Sequence, residues 1–163
     1  MRIVLGLGSN MGNREAHLRE AVAAMDQRQI TFRRSASLYL TEPRDHIDQA
    51  WFINTVVEVD TSLDPLELLE SCLLVEREAG RVRDESRGPR PIDIDILFYR
   101  DQQIRTTNLV VPHPRYADRR FVLVPLAELV PDFRDPISKR TIQQLLEDCP
   151  DSGEVRLHAP PLL

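Results

Sequence analysis

The chain reads as an α+β domain whose core runs β-α-β-β-α-β. Four β-branched, alternating stretches (3–7, 30–40, 51–59 and 92–99) are separated by two amphipathic stretches with helix-start signals. The balance of 42% hydrophobic and 29% charged residues is that of an ordinary globular chain. At 163 residues one domain spanning 1–163 is expected, able to bury about two thirds of its unfolded surface.

Residues 3–7 are a short apolar strand closed by Gly8-Ser9-Asn10-Met11-Gly12-Asn13, with the glycines expected to serve a tight strand-to-helix turn. Asn13 then caps a helix whose apolar stripe is Leu18, Ala21, Val22 and Met25. Residues 30–40 read as one strand, 41–50 as a long polar loop, and 51–59 as a third strand. A second helix opens on Asp64-Pro65-Leu66-Glu67, with an Asp cap, proline in the first turn and a capping-box glutamate, and ends at Gly80. The fourth strand, 92–99, completes the ferredoxin-like order, an antiparallel sheet carrying helices. Beyond it come Val110-Val111-Pro112-His113-Pro114, additional C-terminal helices near 121–129 and 141–147, and a tail at 149–163 expected to pack loosely.

Composition narrows the function. A net charge of −5 leaves no electrostatic footprint for a nucleic-acid backbone. Cys72 and Cys149 make neither a disulfide framework nor a zinc spacing, and Cys72 falls in an apolar helical pattern. The N-terminus passes directly into a strand with no signal peptide, and no apolar run approaches the ~20 residues that cross a membrane. A cytoplasmic monomer that engages neither nucleic acid nor membrane is the expectation.

Against that acidic background stands a local cation cluster. Arg81, Arg83, Arg87 and Arg90 fall within ten residues and run into Asp93-Ile94-Asp95. Guanidinium groups fork onto phosphate oxygens. Carboxylates at i and i+2 suit Mg²⁺, which takes one or two of them together with phosphate oxygens. On a strand, Ile92, Ile94, Ile96 and Phe98 would face a core, and Asp93 and Asp95 would share the other face about 7 Å apart. At an effective dielectric near 20 such charges repel by about 2 kcal/mol, which a bound cation or the arginines would offset. An isolated D-x-D is more often a solvated face; the arginine cluster reverses that balance toward a metal–polyphosphate site.

Two further features bear on that site. Glu76 falls on the apolar half of its helix, where a carboxylate needs a partner such as Arg81 or Arg83, or else reaches out at the final turn. Phe52 and Asn54 share a strand face opposite Ile53, Thr55, Val57 and Val59, and an aromatic beside an amide can stack on and read a flat heterocycle. Familiar nucleotide loops fail. Met11 stands where a dinucleotide fingerprint needs glycine, and no lysine precedes Lys139 to make a phosphate-binding loop. Of four histidines, His113 is distinctive for its flanking prolines.

Taken in order, these segments resemble the 6-hydroxymethyl-7,8-dihydropterin pyrophosphokinase family over 1–147. The matching landmarks are Gly8-Ser9-Asn10 with Gly12, Tyr39-x-Thr41-x-Pro43, Phe52-Ile53-Asn54, Gly80-Arg81-Val82-Arg83, Gly88-Pro89-Arg90-x-Ile92-Asp93-Ile94-Asp95, Val111-Pro112-His113-Pro114 and Arg119-x-Phe121-Val122-Leu123-x-Pro125-Leu126. The resemblance implies diphosphate transfer from ATP, as co-substrate, to a pterin hydroxymethyl group, with release of AMP. It implies that Asp93 and Asp95 ligate two Mg²⁺ ions. Arg81, Arg83, Arg87, Arg90, His113 and Arg119 would surround the triphosphate, with Arg81 and Arg83 acting in catalysis. Glu76 and Ile96 would lie near the nucleotide and its adenine. Phe52 and Phe121 would sandwich the pterin, and Thr41, Pro43, Arg44 and Asn54 would line or read its edge. The chain departs from the family pattern in three places. Its arginine loop is a residue shorter, Ser86 or Arg87 stands where a tryptophan is usual, and 44–50 lacks a glycine. The rival readings are a ferredoxin-like nucleotide-sensing module without catalysis, a ferredoxin-like RNA binder, and a cyclase or nucleotidyltransferase that releases pyrophosphate.

Overall fold

The computed structural model describes residues 2–43, 48–80 and 90–162. Strand β1 (Ile3–Ser9) pairs antiparallel with β4 (Phe52–Thr61) on one side and β5 (Asp93–Tyr99) on the other. Strands β2 (Ile30–Ser35) and β3 (Leu38–Thr41) both lie along the far edge of β4, so the sheet runs β5-β1-β4-β3 with β2 beside β3 on β4. Helix α1 (Arg14–Asp26) starts where the Asn13 side chain accepts from the Ala16 amide, and α2 (Pro65–Glu78) starts on the full Asp64–Glu67 capping box. Two short strands, β6 (Ile104–Arg105) and β7 (Val110–Val111), make a separate ribbon. A 3₁₀ turn (Tyr116–Asp118) then leads into α3 (Arg120–Leu129) and α4 (Ile142–Glu147).

Strand alternation divides the sheet between two cores. Leu5, Leu7, Ile53, Val57, Ile92 and Ile94 meet Leu18, Met25, Leu68 and Cys72 of α1 and α2. Each leucine fully buried there contributes roughly 1.5–3 kcal/mol. On the opposite face Val4, Val56 and Leu97 meet Leu123 and Leu126 of α3 and Ile142 of α4. Those helices cover only part of that face. Gly6, Gly8, Asn54, Asp93 and Asp95 occupy the remainder, as the floor of a cavity.

Four local expectations change. The single strand at 30–40 is two strands, broken at Ala36 and Ser37. Pairing slips by one residue there: Ser35 lies opposite Val57, yet Tyr39 lies opposite Asn54. Thr55 Oγ1 donates to the carbonyls of Ala36 and Ser37, both at 3.0 Å, and so fixes the break. Phe98 does not share a face with Ile92, Ile94 and Ile96. Leu5 pairs with Ile96 but Val4 with Phe98, so Leu97 is the extra residue of a bulge, and Leu97 and Phe98 both join the α3 side. Gly8 lies within β1 rather than in a turn, and only Gly12, at φ +64, takes the left-handed conformation there.

The tail is the fourth correction. Residues Val155–Ala159 form β8, which pairs antiparallel with β3, and the Leu162 amide donates to Ser35 Oγ at 2.8 Å with its side chain in the α1/α2 core. The Arg156 guanidinium stacks 5.4 Å from the Trp51 ring, and His158 Nε2 meets Glu15 at 2.8 Å. Val155-Arg156-Leu157-His158-Ala159 does alternate apolar and polar residues, but over only five positions of an edge strand whose middle three residues are exposed, so little burial marks it. Among the described residues no helix is long and apolar enough to cross a membrane.

Candidate active site

The cavity, about 530 Å³, opens over the uncovered end of the sheet. That volume lies within the range of small-molecule sites. Asp93 and Asp95 reach it from β5, Phe52 and Asn54 from β4, and Thr41 from the end of β3. The opposite wall is Arg115, Asp118 and Arg119 around the 3₁₀ turn, with Phe121 and Val122 from the first turn of α3. Glu42, Gln49 and Arg90 form a rim. Strand parity therefore puts the carboxylates, one aromatic and the amide on the same floor, and the fold brings the second aromatic to them from a distant segment.

The two carboxylates are partly open, with side-chain exposures of 26% for Asp93 and 37% for Asp95. Arg90 Nη1 lies 3.4 Å from Asp93 Oδ2, and the same guanidinium stands 5.6 Å from the centroid of the Phe52 ring. The Arg119 guanidinium stands 5.7 Å from the centroid of the Phe121 ring. Each aromatic of the cavity thus carries an arginine, and one of those arginines also touches a carboxylate.

His113 is held from two sides. Its amide donates to the Leu97 carbonyl at 3.0 Å, and its Nδ1 accepts from the Arg115 amide at 3.1 Å. A neutral ring with Nδ1 accepting carries its proton on Nε2, and Nε2 lies 4.0 Å from Asp95 Oδ1. Burial lowers the His113 pKa to about 4, with the charge of Arg119 acting in the same direction, Asp93 opposing and Arg115 assisting. At neutral pH the ring is an uncharged donor at the edge of the carboxylate pair.

Asn54 Nδ2 donates to Thr41 Oγ1 at 2.7 Å, which sets the amide's orientation. Gly8 lies opposite Asn54 in the ladder. A Cβ there would sit 2.4 Å from Asn54 Oδ1, so glycine is needed for space. Glu76 is buried at 2% exposure, and its Oε2 accepts from the Ile94 amide at 2.8 Å. It therefore does not reach out at the final turn, and it braces β5 between the two aspartates from the helix side. Ile96 has the same parity as Ile94, and its side chain is packed in the α1/α2 core, withheld from the cavity. Pro43 is buried but is not part of the cavity wall. Arg44, Arg81, Arg83 and Arg87 lie outside the described residues.

Some wall residues carried no signal in the sequence reading. Arg115, Asp118 and Gln49 line the cavity without belonging to a recognised spacing, and Asn10, next to Ser9 at the end of β1, ties two rim segments together. Among the described residues no group of three or more His, Cys, Asp or Glu could by itself hold a metal ion. The donor set fits Mg²⁺ all the same: two carboxylates on one strand face, open to a cavity with room for water and substrate oxygens.

The model of the 7,8-dihydro-6-hydroxymethylpterin-pyrophosphokinase (HPPK) family matches residues 4–131. A Bacillus subtilis (strain 168) protein named 2-amino-4-hydroxy-6-hydroxymethyldihydropteridine pyrophosphokinase is 48% identical over 126 residues, 77% of this chain and 75% of that protein. A Methylorubrum extorquens protein of the same name is 45% identical over 159 residues, 96% of this chain and 98% of that one. Among solved structures, Plasmodium falciparum HPPK-DHPS wild type with pteroate superposes with a TM-score of 0.72 at 16% identity. That match covers 90% of this chain and 44% of the other, so it is a likeness of fold to less than half of a longer protein. On the family match across 4–131 and the near full-length relative, the chain belongs to the 7,8-dihydro-6-hydroxymethylpterin-pyrophosphokinase family.

Proposed function

We propose that this chain transfers diphosphate from ATP to the hydroxymethyl group of 6-hydroxymethyl-7,8-dihydropterin, a step of folate biosynthesis, with Asp93 and Asp95 as the metal-binding pair. The observation that carries the reading is that both carboxylates open into the same cavity as Phe52, Asn54 and Phe121. A polyphosphate and a flat heterocycle can meet there. The strand order β5-β1-β4-β2/β3 supports the ferredoxin-like description of the core. The chain acts as a cytoplasmic monomer.

In the transfer a bond forms between the hydroxymethyl oxygen and the β-phosphorus. The bond from that phosphorus to the oxygen bridging the α- and β-phosphates breaks, its electron pair leaves with AMP, and the hydroxyl proton is lost. When bound, two Mg²⁺ ions on Asp93 and Asp95 supply charge neutralisation and polarisation of the phosphoryl oxygens. Arg90 and Arg119 meet the phosphate tail as fixed cations, and His113 adds a neutral Nε2–H donor. Arg81, Arg83 and Arg87 complete that shell, with Arg81 and Arg83 contributing chiefly in the transition state. Phe52 and Phe121 stack on the pterin faces, and Asn54 and Thr41 read its edge. Glu76 acts by holding β5 in place, and the β5 backbone at Ile96 borders the adenine.

The test is incubation with ATP, Mg²⁺ and the hydroxymethyl-dihydropterin, followed by separation of the nucleotides. Pterin-dependent AMP is the expected product. A nucleotide-sensing module without catalysis would bind ATP and yield none, and a cyclase or nucleotidyltransferase would yield free pyrophosphate.

A further inference from the structure

Asn10 follows β1 directly in a buried position, with 3% of its surface exposed, and its side chain and backbone amide engage two rim segments of the cavity. Toward one segment it engages both backbone groups of Arg90: the Arg90 amide donates to Asn10 Oδ1 at 2.8 Å, and the Asn10 amide donates to the Arg90 carbonyl at 3.2 Å. Toward the other it spends both side-chain N–H groups, donating to Gln49 Oε1 at 2.7 Å and to the Ala50 carbonyl at 3.3 Å. These partners lie 80, 39 and 40 residues away in the chain. One small side chain therefore joins the segment that carries Arg90 to the segment that leads into Trp51 and Phe52.

The two segments serve different ends of the cavity. Arg90 reaches Asp93 on the phosphate and metal side, and its guanidinium also stands over the Phe52 ring. Gln49 lines the rim, and Ala50 is two residues from Phe52, on the heterocycle side. A planar amide with one acceptor and two donors, all committed, transmits a shift of either segment to the other, because moving one end strands a buried polar group at the other. A ligand that holds one of these segments would thereby hold the other as well.

We infer that Asn10 is a positioning residue that couples nucleotide binding to pterin binding by clamping the Arg90 and Gln49–Ala50 segments to each other. The inference rests on the proposed substrates. By linkage the coupling is one factor, α, equal whichever ligand is added first. A residue that merely supports the fold would lower both affinities and leave α unchanged.

The experiment measures pterin affinity by calorimetry with and without α,β-methylene-ATP and Mg²⁺, in the wild-type chain, Asn10→Ala and Gln49→Met. Gln49→Met keeps the length of a part-exposed side chain, removes a single bond of the clamp, and serves if Asn10→Ala does not fold. Wild type should bind the pterin at least about 5-fold more tightly when the nucleotide analogue is present, the lower end of ordinary coupling. In Asn10→Ala α should fall to within about twofold of one, with Gln49→Met intermediate and nucleotide affinity without pterin little changed. A wild-type α of one, or the wild-type α retained in either folded variant, overturns the role of Asn10. Failure of the wild-type chain to bind pterin or nucleotide at all is a different result, and it removes the proposed function itself.

Discussion

Replacing Gly8 by alanine adds one methyl group to the floor of the cavity. The new Cβ would lie 2.4 Å from Asn54 Oδ1 and 3.4 Å from Asn54 Cγ, while its approach to Phe52 Cδ2, at 3.6 Å, is ordinary contact. Gly8 lies within β1, so alanine meets no backbone penalty and the whole cost falls on Asn54. To reach even 3.0 Å the amide must retreat by about 0.6 Å, and turning it away breaks the 2.7 Å bond to Thr41 Oγ1. Losing that bond costs roughly 0.5–1.5 kcal/mol. Holding the side chain off its rotamer costs another ~0.5–1.5 kcal/mol. Melting temperature should fall by about 2–4 °C for each kcal/mol. If Asn54 reads the pterin edge, a displaced amide should weaken pterin binding by about 1–3 kcal/mol, roughly 5- to 150-fold. Nucleotide affinity without pterin should stay within about twofold. Calorimetry with pterin and a non-hydrolysable ATP analogue reads this, with a circular dichroism melt on the same sample. In an Asn54→Ala background the Gly8→Ala change should cost little more, because the clashing oxygen is gone. A folded Gly8→Ala protein with wild-type pterin affinity would refute the reasoning.

Asp93→Asn and Asp95→Asn should each lower Mg²⁺-dependent AMP formation by at least ~100-fold, about 2.7 kcal/mol of transition-state stabilisation, while a cooperative melt persists; near-normal turnover in either would remove the metal assignment. Glu76→Ala leaves the Ile94 amide buried without its acceptor and should destabilise the fold by roughly 1–3 kcal/mol, whereas Glu76→Gln keeps an acceptor and should cost less in urea unfolding. Burial, with Glu76 and Asp95 nearby, pushes the Cys72 thiol up to about 12, so a thiol reagent at pH 8 should titrate only Cys149 in the native chain and both cysteines in denaturant. Removal of 150–163 strips β8 from the sheet edge and Leu162 from the core, and should lower stability by at least the roughly 1.5–3 kcal/mol of one buried leucine.

What could be read in advance depended on the range of the interaction. The α1 and α2 starts are local: Asn13, Asp64 and Glu67 bond within three residues. The shared faces of Asp93 with Asp95 and of Phe52 with Asn54 follow from strand alternation alone. The facing of Phe98 was not legible, because the bulge at Leu97 depends on where β1 pairs and no glycine or proline marks it. The break at Ala36 is fixed by β4 through Thr55; Arg33-Arg34 and Ser35-Ala36-Ser37 interrupt the alternation there without saying where the pairing slips. β8 alternates apolar and polar residues over only five positions, and its place is set by pairing with β3. In the cavity, the meaning of Gly8 lies in Asn54 across the ladder, and that of Asn10 in Arg90 and Gln49 far along the chain. Neither relation leaves a local trace.

The most direct measurement of the central claim follows the phosphorus atoms. The chain, Mg²⁺ and 6-hydroxymethyl-7,8-dihydropterin are incubated with ATP labelled at the α-phosphate in one reaction and at the β-phosphate in another, and the products are separated. Diphosphate transfer predicts that the β label leaves with the pterin product and the α label remains in AMP. Recovery of the β label in ADP or in free pyrophosphate, with none on the pterin, would contradict it.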